Sequence, residues 1–353
     1  MSQIPTAPRR DRVALWSAGT LVLAAGVWAC TANSDDSASN DVVAAVTDAS
    51  APPVTSTVPT DANLKVAFIG DTGTGADFQS VLQLIKREKA DLVMVQGDLN
   101  YVDGTSPSWF AAIDGEINTS ATTIPYVIAK GNHDVKWPGY ASGITTRLAS
   151  WGIPVASGTP ASTNYSVVYK GLKIVVVGDS ETSPTRASFI EQELASDPHL
   201  WKICSWHKNQ RASNIGPKND EMGWAVYEAC RSHGAIVAQG HSHTYSRSKT
   251  LTNDTNQTVD TTCSDPFSLC VGKGRHFFFD SSVGGQDLRP ANTTVASQSY
   301  WGTTFTGAFG AFFVEFNVGD PTKAAAYFKT TADVVVDPPE SSGQTALSVT
   351  VTP

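Results

Sequence analysis

The chain has 353 residues, of which 41% are hydrophobic and 16% are charged, so it is long enough for one large or two small globular domains. Its formal net charge of −8 argues against nucleic acid as a partner, because a nucleic-acid backbone favours a basic surface. The same charge is compatible with a small phosphorylated substrate, because bound metal ions can be the largest local charges in a site.

Residues 1–30 have the pattern of an export signal. Three arginines near the start precede an apolar run, Val13–Ala29, and this order is typical of a secretory signal peptide. The run is at the lower length limit for a membrane span, so a permanent transmembrane anchor is the alternative interpretation.

The apolar run ends at Cys30, and the stretch Val27–Cys30 resembles a bacterial lipobox, in which the cysteine is lipidated after cleavage. Trp28 departs from that pattern, since a small residue usually stands there. We therefore expect an exported chain, which is either a lipoprotein of the cell envelope or a secreted or periplasmic protein. A lipid on Cys30 would be its one contact with a membrane.

Composition divides the rest of the chain into three parts. Residues 31–61 are rich in Ser, Thr, Ala, Asp and Pro, cannot bury a core, and are predicted to form a disordered tether. Residues 62–333 carry the apolar runs and are predicted to form one folded domain. Residues 334–353 are rich in Pro, Ser, Gly and Thr, and we expect a loose C-terminal tail.

Buried runs and helical patterns alternate in the first half of the domain. The apolar runs Leu64–Ile69, Asp91–Gln96 and Pro125–Ala129 each lead into a glycine followed by a polar residue. Between the first two runs, Phe78–Ile85 has apolar residues at helical spacing. The repeated order of strand, polar segment and helix predicts a mostly parallel sheet covered by helices.

The second half repeats this order and then changes character. Leu172–Val177, Trp201–Trp206 and Ala235–Ala238 are predicted strands. Thr185–Ala195 and Asn219–Ser232 are predicted helices. Residues 244–330 hold short alternating runs, which predict antiparallel strands of a second sheet.

Five segments place potential metal ligands where predicted strands end. They read Gly-Asp-Thr-Gly, Gly-Asp-Leu-Asn-Tyr, Gly-Asn-His-Asp, a lone His, and Gly-His-Ser-His. Strand carboxyl ends gather at one edge of an α/β sheet, so we expect the side chains to cluster there. Carboxylate, amide and imidazole ligands suit iron, zinc or manganese. The candidate ligands are Asp71, Asp98, Tyr101, Asn132, His207, His241 and His243.

This set resembles the calcineurin-like metallophosphoesterases, and within them the purple acid phosphatases. Many metallophosphoesterases have Asp-x-His in the first segment, whereas this chain has Asp71-Thr72-Gly73 and supplies Tyr101 three residues after Asp98. The exchange of a histidine for a tyrosine is the purple acid phosphatase pattern. The resemblance implies an α/β fold in which a two-sheet β-sandwich is flanked by helices in four layers, α/β/β/α.

The resemblance also implies a dimetal site at the strand carboxyl ends. One ion, expected to be Fe(III) because a phenolate is a hard anion, would have the ligands Asp71, Asp98, Tyr101 and His243. A second, divalent ion of iron, zinc or manganese would have the ligands Asp98, Asn132, His207 and His241. Asp98 would therefore bridge the two ions.

The implied activity is hydrolysis of phosphate monoesters, by attack of a metal-activated hydroxide on phosphorus, as in an acid phosphatase. His133 is expected to protonate the leaving group and Asp134 to orient its imidazole, the alternative being a structural role for His133. Three basic residues close to the ligands could contact substrate or simply be solvated. They are Lys208, Arg211 and Arg247.

Two departures from the family and two rival functions remain at this stage. The segment after His207, residues 208–211, lacks the histidines of the family, and no N-terminal β-sandwich precedes the domain. The rivals are a phosphodiesterase or nucleotidase on the same metal core, and a non-catalytic binding lipoprotein with a decayed site. The expected rim loops, 104–123, 134–163 and 250–306, would decide between ester classes.

The cysteines are compatible with export. The chain has five, and if Cys30 carries lipid, the remaining four can pair in three ways. Cys263 and Cys270 flank a short loop and are the favoured bridge. Cys204 and Cys230 could form a second bridge or remain buried thiols.

Overall fold

The computed structural model describes residues 57–102 and 105–353. The predicted signal peptide, the lipidation site at Cys30 and most of the tether lie outside the described residues. The predicted domain boundary at residue 62 is slightly too late, because Val58 forms a bridge with His199 and Thr60 is buried. Within the described ranges, no helix has the length and apolarity that a membrane crossing requires.

The described part of the chain contains twenty strands and six α-helices. The strands are β1 (Leu64–Ile69), β2 (Leu92–Val95), β3 (Asn118–Thr119), β4 (Thr122–Thr123), β5 (Tyr126–Ile128), β6 (Val155–Gly158), β7 (Tyr165–Tyr169), β8 (Leu172–Val176), β9 (Lys202–Ser205), β10 (Ile236–Gln239), β11 (Tyr245–Ser248), β12 (Leu251–Asn253), β13 (Thr258–Val259), β14 (Ser268–Gly272), β15 (Phe278–Ser281), β16 (Trp301–Phe305), β17 (Gly310–Phe316), β18 (Lys323–Thr330), β19 (Val335–Asp337) and β20 (Leu347–Thr352). The helices are α1 (Ala76–Arg87), α2 (Ser106–Ile117), α3 (Trp137–Ser150), α4 (Ser183–Leu194), α5 (Trp224–Ser232) and α6 (Thr293–Ala296).

Two eight-stranded sheets organise the domain. The first has the order β14-β20-β18-β17-β1-β2-β5, with β19 paired to β18, and its strands β1, β2 and β5 are parallel. The second has the order β16-β11-β15-β10-β9-β8-β7-β6, and β8, β9, β10 and β15 run parallel at its centre. The parallel strands β1, β2 and β5 therefore form one edge of the first sheet, whereas antiparallel strands flank the parallel strands of the second sheet on both sides.

The main apolar core lies between the two sheets. Phe68 of β1 packs edge-on against Phe279 of β15, with ring centroids 5.0 Å apart, and Phe279 in turn lies 4.5 Å from Phe312 of β17. All three rings are fully buried, and each contributes about 1.5–3 kcal/mol relative to exposure. These contacts join the first sheet to the second.

Helices cover the outer face of each sheet. On β9, Ile203 belongs to the core between the sheets, while its neighbour Cys204 belongs to a second cluster with Val226 of α5. This alternation is the period of a strand that is buried on both faces. Helices α1, α2 and α3 pack together with the first sheet, and α4 and α5 with the second. The predicted four-layer α/β/β/α fold is confirmed.

The predicted loose tail at 334–353 is wrong. Its last strand, Leu347–Thr352, lies inside the first sheet between β14 and β18, parallel to one and antiparallel to the other. Leu347, Val349 and Val351 are buried, and the residues between them are exposed. This alternation of period two is readable in the sequence, but the Pro- and Ser-rich segment before it suggested a tail.

Each of the three expected rim loops also contains a helix. Helix α6 lies within 250–306, α2 within 104–123 and α3 within 134–163, although α2 and α3 carry glycine or proline. Gly143 explains part of this composition, because a Cβ there would lie 2.2 Å from the ring of Phe110 on α2. The glycine permits the two helices to approach closely.

Both candidate disulfides are present. Cys204 of β9 is bonded to Cys230 of α5, so one bridge ties the second sheet to its covering helix. Cys263 is bonded to Cys270 of β14, across the short loop that separates them.

Candidate metal centre

The parallel strands of both sheets end at one place. Asp71, Asp98 and Asn132 follow β1, β2 and β5 of the first sheet, whereas His207 and His241 follow β9 and β10 of the second. The two sets are joined directly, because the backbone N–H of His241 donates a hydrogen bond of 2.7 Å to Asp71 Oδ2. The sandwich therefore brings ligands from both sheets to a common edge.

Four of the predicted ligands have a left-handed backbone. Their φ values are 56° for Asp71, 51° for Asp98, 81° for His241 and 58° for His243. Non-glycine residues rarely adopt this conformation, although Asp and His tolerate it better than most. Backbone outliers of this kind cluster at functional sites. Each strand therefore turns sharply at its end, at the residue whose side chain belongs to the centre.

Two glycines let the strand ends of the first sheet approach each other. A Cβ on Gly131 would lie 2.1 Å from the backbone nitrogen of Asp98. A Cβ on Gly97 would lie 2.7 Å from the nitrogen of Gly131, and Gly97 has a φ of +77°. Neither position has space for a side chain.

The first ligand group consists of Asp71, Tyr101 and His243. The Tyr101 hydroxyl lies 2.8 Å from Asp71 Oδ1 and 3.3 Å from His243 Nε2, and these last two atoms are 3.1 Å apart. Asp71 and His243 are buried, and Tyr101 is partly exposed. Three donor atoms thus converge on one point.

The second ligand group consists of Asn132, His207 and His241. His207 Nε2 lies 3.2 Å from Asn132 Oδ1 and 3.0 Å from His241 Nδ1. Together with one carboxylate oxygen of Asp98, the two histidines form a buried cluster whose donor atoms all lie within 4.8 Å of one another.

Asp98 joins the two ligand groups. Its Oδ2 atom lies 3.1 Å from the Tyr101 hydroxyl and also 3.1 Å from His207 Nε2. Its other oxygen, Oδ1, accepts a 2.8 Å hydrogen bond from the backbone N–H of His133. One oxygen is therefore fixed to the backbone while the other faces both groups, which is the arrangement that the predicted bridging role requires.

Hydrogen bonds behind the histidines fix which nitrogen faces the centre. His207 Nδ1 lies 2.7 Å from the carbonyl oxygen of Gln96, and His243 Nδ1 lies 2.6 Å from that of Asp287. A carbonyl only accepts, so each Nδ1 carries a proton and each Nε2 is the nitrogen available to a metal ion. His241 is reversed: its Nδ1 faces inward and its Nε2 lies 2.9 Å from Glu221 Oε2.

Glu221 is a functional residue that sequence reasoning missed. It lies in the segment 219–223, which was predicted to begin a helix, whereas α5 begins at Trp224. Gly223 has a φ of +87°, which interrupts the helix and leaves Glu221 in a loop that reaches His241. The helical pattern of the sequence concealed this turn.

The electrostatics of the centre favour a bound cation. Burial opposes a charge on His207, but the carboxylates of Asp98 and Asp71 outweigh it and raise the pKa of His207 to about 9. Burial, followed by the charge of His207, lowers the pKa of His241 to about 2. The centre thus attracts positive charge but cannot place it on both rings, a condition that metal ions satisfy.

The carboxylates of the centre also change the pKa of Tyr101. Burial and then the carboxylates of Asp71 and Asp98 raise the pKa of its phenol above the ordinary value. The hydroxyl therefore keeps its proton unless a cation stands beside it. Oxygen and imidazole donors at these separations fit two metal ions, and all seven predicted ligands lie in the centre.

The predicted catalytic pair is only partly supported by its positions. The His133 ring is half exposed at the mouth of the centre, 4.4 Å from the Tyr101 ring, with Nε2 4.0 Å from Asp98 Oδ2. Asp134 does not orient it. The buried Asp134 carboxylate instead accepts bonds from the backbone N–H groups of Gly131 and Leu99, at 2.7 and 2.9 Å, so its predicted catalytic role is corrected to a structural one.

The three predicted substrate contacts have different positions. Arg247 is fully buried and bonds Asp337 at 2.6 Å, so its prediction is wrong: β11 directs this side chain into the interior. Lys208 lies near the centre and pairs with Glu221 at 3.2 Å. Arg211 is exposed, and its backbone N–H bonds Asp220, which is not a ligand. Substrate contact by Lys208 or Arg211 stays a prediction.

The fold and the ligand set have counterparts among known proteins. The sequence profile of the calcineurin-like phosphoesterases matches residues 64–245, and the chain belongs to this family. It is similar to Purple acid phosphatase 18 of Arabidopsis thaliana, with 25% identity over 268 residues that cover 68% of this chain and 60% of the relative. It is also similar to Probable inactive purple acid phosphatase 1 of the same plant, with 28% identity over 201 residues covering 49% and 32%.

A solved structure agrees with these relatives at the level of the fold. The purple acid phosphatase PPD1 from yellow lupin (Lupinus luteus) seeds superposes with a TM-score of 0.60 and 18% identity, covering 82% of this chain and 54% of the lupin protein. The chain spans about half the length of the curated relatives it matches.

Proposed function

We propose that this chain is a dimetal phosphoesterase that hydrolyses phosphate monoesters, in the manner of an acid phosphatase. The observation that carries the proposal is the position of Asp98 Oδ2, which lies 3.1 Å from a donor atom of each ligand group. A carboxylate shared in this way is what two neighbouring ions would need, and two-metal sites are typical of phosphatases. Membership of the calcineurin-like phosphoesterase family supports the same reaction class.

The two ligand groups would hold different ions. The first offers a carboxylate and a phenol, which are hard oxygen donors and favour Fe(III). The second offers an amide oxygen and two imidazoles, which suit a divalent ion of iron, zinc or manganese. When bound, such ions supply Lewis acidity and lower the pKa of water, so that a nucleophile exists near neutral pH.

The chain's own residues would position the substrate and supply a proton. His133 stands at the mouth with a half-exposed ring, so it can reach the oxygen of the leaving alcohol. Its backbone N–H donates a hydrogen bond to Asp98 Oδ1, which fixes the position of the His133 backbone relative to the centre. The contact of the His133 ring with the tilted Tyr101 ring, 4.4 Å away, further limits the directions in which the imidazole can point.

The test is metal analysis of the purified full-length chain, followed by assays with p-nitrophenyl phosphate and bis(p-nitrophenyl) phosphate. We expect about two ions per chain and faster hydrolysis of the monoester. A protein that holds both ions and hydrolyses neither ester would contradict the proposal and favour a binding role. Faster hydrolysis of the diester would assign the chain to the phosphodiesterases.

We also propose that the protein is exported. Two disulfides support this location, because such bonds persist mainly in oxidising compartments. Mass spectrometry of the mature N-terminus is the direct measurement, and a lipid on Cys30 is the expected result. A Cys30→Ser variant should remain active but no longer partition with membranes; an unmodified terminus that begins beyond Cys30 would indicate ordinary secretion.

A further inference from the structure

Lys218 is a basic side chain beside the metal centre that sequence reasoning did not single out. Its Nζ atom lies 3.4 Å from His241 Nδ1, the nitrogen that faces the second ligand group. The other two lysines nearby are paired with carboxylates: Lys130 with Asp179 at 2.8 Å and Lys208 with Glu221 at 3.2 Å. Among the described residues, no carboxylate oxygen lies within the 4.0 Å ion-pair distance of the Lys218 ammonium.

The loop that carries Lys218 packs closely against the segment that carries the ligands His241 and His243. A Cβ on Gly216 would lie 2.6 Å from the carbonyl oxygen of Ser242, which stands between the ligands His241 and His243. Only glycine allows this approach without displacement of the backbone. The backbone N–H of Lys218 donates a 2.9 Å bond to the carbonyl of Gly216. A short turn therefore fixes Lys218 beside the close contact between Gly216 and Ser242.

The segment that contains Arg289 fastens the Lys218 loop to the segment of His243. The backbone N–H of Arg289 donates a 3.1 Å bond to the carbonyl of His243, and the backbone N–H of Asn292 donates a 2.6 Å bond to the carbonyl of Ile215. Three segments are thus bonded together at this edge.

The partner of Lys218 depends on the state of His241. Once His241 Nδ1 binds a metal ion, its lone pair can no longer accept from the ammonium. The lysine then needs another acceptor beside the metals, and the oxygens of a bound phosphate are acceptors at that place.

We infer that Lys218 acts as a cationic clamp for the non-bridging oxygens of a phosphate ester, and that this clamp favours monoesters over diesters. The inference rests on the proposed function, since it names the substrate class of that site. A monoester carries nearly two negative charges above pH about 6, whereas a diester carries one. Additional positive charge at the centre therefore stabilises bound monoester more.

The experiment uses the full chain loaded with metal and compares Lys218→Met, Lys218→Arg and Lys170→Met. Lys170 pairs with Asp91 at the opposite edge of the sheets, so its variant removes the same charge away from the centre. Calorimetry with inorganic phosphate measures binding separately from catalysis. Lys218→Met should weaken phosphate binding by roughly tenfold to a hundredfold at unchanged metal content, because a charge-assisted hydrogen bond is lost.

The other variants and a second substrate complete the test. Lys170→Met should bind phosphate like the parent, and Lys218→Arg should retain most of the affinity. The kcat/KM of Lys218→Met should fall for p-nitrophenyl phosphate by more than for bis(p-nitrophenyl) phosphate. Unchanged phosphate affinity, or an equal fall for both esters, would overturn the clamp. If the parent protein binds phosphate but hydrolyses no ester, the proposed function fails, and phosphate affinity still decides the clamp.

Discussion

The two ligand groups differ in charge although they share Asp98. The first group, Asp71, Tyr101 and His243, contains a carboxylate and a phenol hydroxyl that lie 2.8 Å apart. The second group contains only neutral donors, one amide and two imidazoles. A trivalent ion is stabilised more by anionic oxygen ligands than by neutral ones, so the comparison teaches that the two ions should be chemically unequal. Each variant below alters one group, the other, or both.

The largest effect is expected for Asp98→Ala, because this carboxylate faces both groups. The variant should lose both ions and, with them, all measurable hydrolysis. Elemental analysis of the purified protein is the measurement, and Asp333→Ala is the control, since it removes an exposed carboxylate that pairs with Lys329 and Arg87. Retention of two ions in Asp98→Ala would end the bridging assignment.

Tyr101→Phe should affect the first ion alone. If the phenolate binds Fe(III), the oxidised parent absorbs visible light by charge transfer from ligand to metal, and the variant should lose that band. Tyr169→Phe is the matched control, because that hydroxyl bonds the carbonyl of Asp91 at the opposite edge. An iron-loaded, active parent without the band would place the chain among the metallophosphoesterases that do not use a phenolate.

Asn132→Ala is the reciprocal change in the second group. Removing one neutral ligand should lower the affinity for the divalent ion by about tenfold to a hundredfold. The absorption band of the first ion should remain. Titration of the metal-depleted variant with zinc gives the affinity. Equal loss of both ions would show that the two groups do not act separately.

Glu221→Gln should have the smallest effect. In the parent, His241 Nε2 lies 2.9 Å from the Glu221 carboxylate. The glutamine amide oxygen can still accept this bond, but the negative charge behind the ring is lost. We expect the affinity for the second ion to fall by about tenfold at most and the first ion to be unaffected. Glu340→Gln, at an exposed position, controls for the change of charge. A larger loss than in Asn132→Ala would reverse this ranking.

The ligands were predictable from the sequence because their signals are local. A buried run followed by Gly-Asp or Gly-His marks the end of a parallel strand, and strand ends of one sheet lie together. The same rule found Asp71, Asp98 and His241 without any knowledge of which strands pair. The four-layer fold was predicted from the resemblance that these ligands carry, and the alternating elements agreed with it.

The residues behind the ligands were not predictable, because their contacts are distant in sequence. Arg247 follows His243 closely, but its partner Asp337 lies 90 residues further on, and no local pattern joins the two. Glu221 was hidden in an apparent helix that a left-handed glycine interrupts. Strand β20 has a clear alternation but follows a segment whose composition is typical of loops. In each case a tertiary contact determined the local structure.

At four ligands the left-handed backbone lowers the stability of the fold, whereas the side chain at the same position is needed to bind metal. A glycine at Asp71, Asp98, His241 or His243 would relieve strain of about 1 kcal/mol at each position, because glycine adopts positive φ readily. Each such change also deletes a metal ligand. At Asp71 and Asp98 it also removes the acceptor of a backbone N–H, which costs about 1–3 kcal/mol. Directed evolution for thermal tolerance in the presence of a chelator would therefore be drawn towards glycine at His241 and His243. The same selection with metal ions present would retain the ligands, because binding to the folded state then stabilises it.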